Sequence, residues 1–100
     1  MPLLHIALQE GFAGEPVVLR CQQREVFNQP DVKTRTQIGL ATTFEEELPT
    51  GPVSLEVNLP KRNLTKTVSL TLSQATYVGV SVSEEGRIVH TVSSEPFGYV

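Results

Sequence analysis

At 100 residues the chain has the size of one domain, and its formal net charge of -3 and pI of ≈ 5.3 argue against a nucleic-acid partner, which needs clustered Lys and Arg. A hydrophobic fraction of 39% and a charged fraction of 19%, with Val, Leu and Thr abundant, exclude disorder. A chain of this length buries roughly 65% of the surface its unfolded form exposes, enough for a core without metal or disulfide support.

Taken from the start, Leu4, Ile6 and Leu8 alternate with His5, Ala7 and Gln9, the period of a strand. Met1 to His5 lacks the basic segment and apolar run of a signal peptide, and no stretch approaches the ~20 apolar residues of a spanning helix. Glu10 to Gly14, with two glycines, ends the first strand. The second runs from about Pro16 to Cys21, with Val17, Leu19 and Cys21 on one face and Val18 and Arg20 on the other. Gln22-Gln23 is placed at a hairpin turn, although it lacks Asn-Gly or Gly-Gly chemistry. Arg24 to Phe27 returns as a short strand, and Asn28 to Lys33, with Pro30-Asp31, reads as a loop.

Thr34 to Thr43 reads as a strand with Thr36, Ile38 and Leu40 on one face. Phe44 to Leu48 continues it or forms a short edge strand, where Glu45, Glu46 and Glu47 discourage pairing with another chain. Pro49-Thr50-Gly51-Pro52 is a firm break. Beyond it the alternation is regular: Val53, Leu55, Val57 and Leu59, then Val68, Leu70 and Leu72, then Val78, Val80 and Val82. Pro60 to Lys66 and Ser73 to Thr76 join these strands, and Ser83 to Gly86 makes a hairpin into Arg87 to Val92. Seven or eight short strands with turn signals between them, and no helical period, give an all-β, antiparallel β-sandwich over residues 1–100, Ig-like or transthyretin-like.

Val17-Val18-Leu19-Arg20, the hairpin into Arg24-Glu25-Val26-Phe27, the run Leu48-Pro49-Thr50-Gly51-Pro52-Val53-Ser54-Leu55-Glu56-Val57 and the closing Val78-Gly79-Val80-Ser81-Val82 carry a resemblance. Glu15 to Val82 resembles the small transthyretin-like (prealbumin-like) sandwiches, among them PEGA-type and carboxypeptidase regulatory-like domains. The Pro-Glu-Gly-Ala signature is absent. The resemblance implies an accessory, structural or binding module, and it carries over no functional residue.

Chemistry-bearing residues are sparse. His5 and His90 lie far apart, with no local spacing for the three or four ligands of a metal site. His90 shares a face with Ile88 and Val92, so it is expected at the core or at a sheet edge. Cys21 alternates with Val17 and Leu19 as a small core hydrophobe does, and a lone cysteine excludes an intramolecular disulfide and favours a reducing compartment. Neither a Gly-x-Ser-x-Gly elbow nor a Gly-Lys-Ser/Thr phosphate loop is present. The glutamate runs at 45–47 and 84–85 alternate sides along a strand or sit in a turn, as solvated carboxylates do, and they lack an EF-hand ladder. Asn63-Leu64-Thr65 matches the glycosylation sequon, which matters only in a secretory compartment.

No catalytic, metal or cofactor residue is therefore assigned. The expected role is a non-catalytic structural or protein-interaction module, cytoplasmic, with a protein partner or a second copy and neither nucleic acid nor membrane. Two aromatics and a valine are costly to leave in water, so the tail either packs back on its own sandwich or docks on a neighbouring subunit, which makes Phe97, Tyr99 and Val100 the candidate partner-binding residues. The alternative is a small-ligand or carbohydrate-binding domain exposing Phe27, Phe44 or Tyr77, with a small enzyme third. Function is expected in the irregular parts, Glu10 to Gly14, Asn28 to Arg35 and the tail from Glu95.

Overall fold

A computed structural model describes residues 1–35 and 37–97. The alternating segments form strands β1 (Leu3–Leu8), β2 (Ala13–Cys21), β3 (Arg24–Lys33), β4 (Thr42–Glu47), β5 (Gly51–Leu59), β6 (Leu64–Leu72), β7 (Thr76–Val82) and β8 (Ile88–Ser93). A single 3-10 turn, Pro60–Arg62, links β5 to β6. Among the described residues the strands make two four-stranded sheets, ordered β4-β1-β7-β8 and β3-β2-β5-β6.

The two sheets close in a sandwich-like fold on one hydrophobic cluster. Its centre comes from the inner strands of each sheet: Leu4, Ile6 and Leu8 with Val78 and Val80, against Val17, Leu19, Leu55 and Val57. None of these side chains is more than 1% exposed. Burial of that kind contributes roughly 1.5–3 kcal/mol per large aliphatic side chain, which is why the period-2 pattern dictates which face turns inward.

One pairing corrects the wholly antiparallel expectation. β1 runs parallel to β7, with Leu4 beside Thr76 and Leu8 beside Val80, so its sheet is mixed. Alternation specifies a face but not a direction, and the chain reaches β7 only after building the second sheet.

Several boundaries also differ. Asn28 to Lys33 is not a loop but the second half of β3. Pro30 is tolerated because β3 is a sheet edge and its ladder to β2 slips between Val17 and Glu15, leaving Pro30 and Asp31 unpaired. Thr34 to Thr43 is not one strand: residues 37–39 turn, Gly39 has φ 67°, Arg35 bridges to Leu40, and only Thr42 and Thr43 are extended, as the start of β4. The chain must reverse there to pass from one sheet edge to another; Thr36 lies outside the described residues. β2 and β6 each begin earlier than their patterns suggest, at Ala13 and Leu64.

Gln22 and Gln23 have φ of 53° and 67°, the left-handed pair that a two-residue hairpin needs. Gln22 offsets its strain through its side chain: Ser54 N–H donates to its Oε1 at 2.8 Å, and its Nε2 donates to the Pro52 carbonyl at 3.3 Å. Gln23 is exposed and makes no such contact among the described residues. Gln23→Gly is therefore expected to stabilise the fold by about 0.5–1 kcal/mol, read as a raised urea midpoint with unchanged slope. A lowered midpoint would contradict this account of the turn.

Candidate functional site

A row of polar and aromatic side chains lies on the outer face of the β4-β1-β7-β8 sheet. Register places Glu45, His5 and Tyr77 side by side across three strands. His5 Nδ1 is 2.7 Å from Glu45 Oε2, and the His5 and Tyr77 rings tilt together with centroids 5.3 Å apart. A carboxylate holding one imidazole nitrogen resembles half of a catalytic or metal-binding arrangement. The other half is absent among the described residues, where no group of three or more His, Cys, Asp or Glu side chains could hold a metal. The row ties edge strand β4 to β1.

Cys21 is buried at 2% exposure at the end of β2. Burial pushes its thiol up, Glu46 adds to this and Arg24 opposes it, so the reactive thiolate is disfavoured. Asn63, in the sequon, occupies the left-handed position that closes the 3-10 turn and is exposed. Of the three strand aromatics, Phe27 and Phe44 meet edge-to-face at 5.9 Å across the β3 and β4 edges, while Tyr77 packs on His5; all three are half-buried. Phe97 is half-buried, and Tyr99 and Val100 lie outside the described residues.

The Glu10 to Gly14 segment, expected to hold function, is clamped structurally. Arg62 grips the buried Glu15 with both ends of its guanidinium, Nε to Oε1 at 2.7 Å and Nη2 to Oε2 at 2.6 Å, and also donates to the Gly11 carbonyl at 3.1 Å. The Phe12 N–H donates to Thr34 Oγ1 at 3.0 Å, and the Phe12 carbonyl accepts from Thr34 N–H at 2.9 Å.

Four strands end the two sheets, and three of them carry protection against pairing with another chain. β3 has Pro30 and three register slips. β4 carries Glu45 to Glu47; Glu46 shares the inner face with Leu4, so its charge points inward, where Arg24 meets it at 3.2 Å. On β6, Lys66 pairs with inward-facing Val57 and donates to the Ile88 carbonyl at 3.4 Å. β8 has no proline, bulge or charged side chain of its own, and Lys66 engages only its first carbonyl, that of Ile88. It pairs with β7 residue for residue from Ile88 to Ser93, without a bulge. Val89 is 44% exposed, Val92 is 50% exposed, and His90 and Thr91 are exposed between them. Burial and then Lys66 hold the His90 imidazole below its ordinary range, so the strand is uncharged at neutral pH. Alternation alone gives Ile88, His90 and Val92 one face; that Ile88 is buried in the core while His90 and Val92 lie open at a sheet edge depends on strand order, which no local signal carries.

No protein-family model matches the chain, and comparison with the curated proteins finds no match. No helix among the described residues is long and apolar enough to cross a membrane.

Proposed function

We propose that the chain is a non-catalytic protein-interaction module of transthyretin-like type, and that its working surface is the outer edge of β8. The partition of strands supports this type over the alternative. In an immunoglobulin sandwich the first and second strands share a sheet; here β1 lies between β4 and β7, while β2 lies between β3 and β5.

The observation that carries the interaction reading is the contrast among the four edges. A regular edge with no charged side chain of its own, engaged by Lys66 only at the Ile88 carbonyl, offers backbone donors and acceptors from Val89 onward to an added strand, and exposed valines beside it supply apolar area. The occupant that fits it is a second copy of the chain. Two β8 strands meeting antiparallel about a two-fold axis set no charged side chain of the strand against its copy, and both contribute the exposed His90 and Val92 to one face.

Light scattering across a concentration series tests this. The native chain is expected to form a dimer at about 100 μM, and the double variant Val89→Lys, Val92→Lys is expected to be monomeric at pH 7, with its far-ultraviolet dichroism unchanged because both positions are exposed. A native chain that stays monomeric, or a double variant that still dimerises, would overturn the assignment.

A further inference from the structure

We infer that the groove between the edges of β3 and β4 binds a small organic oxyanion, an aromatic carboxylate or phosphate ester, in a way that is independent of the β8 edge. The groove encloses about 460 Å³, within the ordinary range of small-ligand clefts, and runs from Phe27 to Lys33 and Arg35 along one wall and over Thr42 and Thr43 on the other. A second concavity of about 560 Å³ lies along Lys33, Thr34, Arg35 and Gln37. The same two cations therefore border both hollows.

Their charges are available. Arg20, Arg24 and Arg62 each hold a carboxylate, whereas no ion pair among the described residues involves Lys33 or Arg35. In a chain of net charge -3, two unpaired cations beside a groove are a local reversal of sign. The backbone of Arg35 is held from both sides: its N–H donates to the Leu40 carbonyl at 2.9 Å, and its own carbonyl accepts from Ile38 and Gly39. Lys33 ends an edge strand paired to β2. The guanidinium fork suits a carboxylate or phosphate, with the ammonium as a second point charge.

The remaining lining selects the body of the ligand. Phe27, partly exposed, borders the groove, its ring set edge-to-face against Phe44, and Thr42 and Thr43 bring hydroxyls that donate or accept. Asp31 also borders the groove and opposes an anion there, but its carboxylate is turned toward β2: a Cβ placed on Gly14 would lie 3.0 Å from Asp31 Oδ1. An oxyanion at the Lys33–Arg35 end with a flat apolar group toward Phe27 satisfies both ends of the groove.

Titration of the isotope-labelled full chain, followed by amide shifts, decides the matter. Phenyl phosphate and benzoate are the probes, and inorganic phosphate and benzyl alcohol supply the head group and the ring alone. One or both aromatic oxyanions are expected to move the amides of Phe27, Lys33, Arg35 and Thr42 saturably, and whichever binds more tightly identifies the head group. Lys33→Gln with Arg35→Gln, both exposed, is expected to weaken that binding by roughly tenfold or more with the fold intact, as loss of charge-assisted hydrogen bonds does. Absence of saturable shifts at about 10 mM, unchanged affinity in the double variant, or equal binding of either half-probe would overturn the inference.

Discussion

Arg62→Ala is expected to lower the stability of the fold by about 3 kcal/mol at pH 7, because it leaves the Glu15 carboxylate buried without its counter-charge. Glu15 is 7% exposed at its side chain and Arg62 is 30% exposed, which places the loss at the lower end for a broken buried pair. The same change frees the Gly11 carbonyl and unpins the 3-10 turn from β2. Burial on its own pushes the Glu15 carboxyl up; the Arg62 fork and the Ala13 N–H more than reverse this, so the group titrates below its ordinary 4.5.

The pH dependence follows from that sign. A carboxyl with a depressed folded value contributes stability that is present above its unfolded value and is lost as pH falls through the folded one. In the variant only burial and the weaker partners remain, so the Glu15 carboxyl rises and the variant gains relative stability on acidification. The gap between native and variant chains, measured by urea unfolding at pH 7 and at about pH 4, is therefore expected to narrow. A gap of equal size at both values would show that lost packing, not charge, accounts for the effect.

Gly11→Ala is expected to be equally damaging, about 3 kcal/mol, for a steric reason. Gly11 has φ +88°, and a Cβ there would fall inside the Val82 carbonyl oxygen and within 2.8 Å of its carbon and 2.9 Å of its Cβ. Neither partner has room to withdraw. Val82 N–H donates to the Glu10 carbonyl at 2.8 Å, and Arg62 holds Gly11 from the other side. Gly86→Ala is the matched control: its φ of +80° carries the same left-handed strain, but a Cβ there meets nothing within 4 Å, so about 1 kcal/mol is expected. Equal urea midpoints for the two variants would show that backbone conformation alone matters and that the close approach to Val82 does not.

These two residues show where reading the chain succeeded and where it stopped. Gly11 and Gly14 mark a break between strands, as glycines do, but the reason Gly11 must be glycine is Val82, seventy-one positions away. Nothing local marks Glu15; its burial becomes visible only when the β5–β6 turn brings Arg62 onto it. The groove is a similar case. Asn28 to Arg35 stands out as irregular and basic, yet Pro30 suggests a loop where an edge strand with a slipped ladder continues. Its opposite wall at Thr42 and Thr43 belongs to the other sheet.

The amino-acid sequence by itself determined that the chain is all-β and which side chains face inward, because the two-residue period of a strand is local and burial of Val, Leu and Ile rewards only one choice of face. It also located the breaks at Gln22-Gln23 and Ser83 to Gly86, and at Pro49-Thr50, although Gly51 and Pro52 of that expected break already belong to β5. Only the tertiary structure decided the parallel β1–β7 pairing, the order of strands within each sheet, and therefore which strand ends as an edge with no charged side chain of its own. Those outcomes depend on long-range closure of the two sheets around a shared core, and no window of the sequence contains both partners.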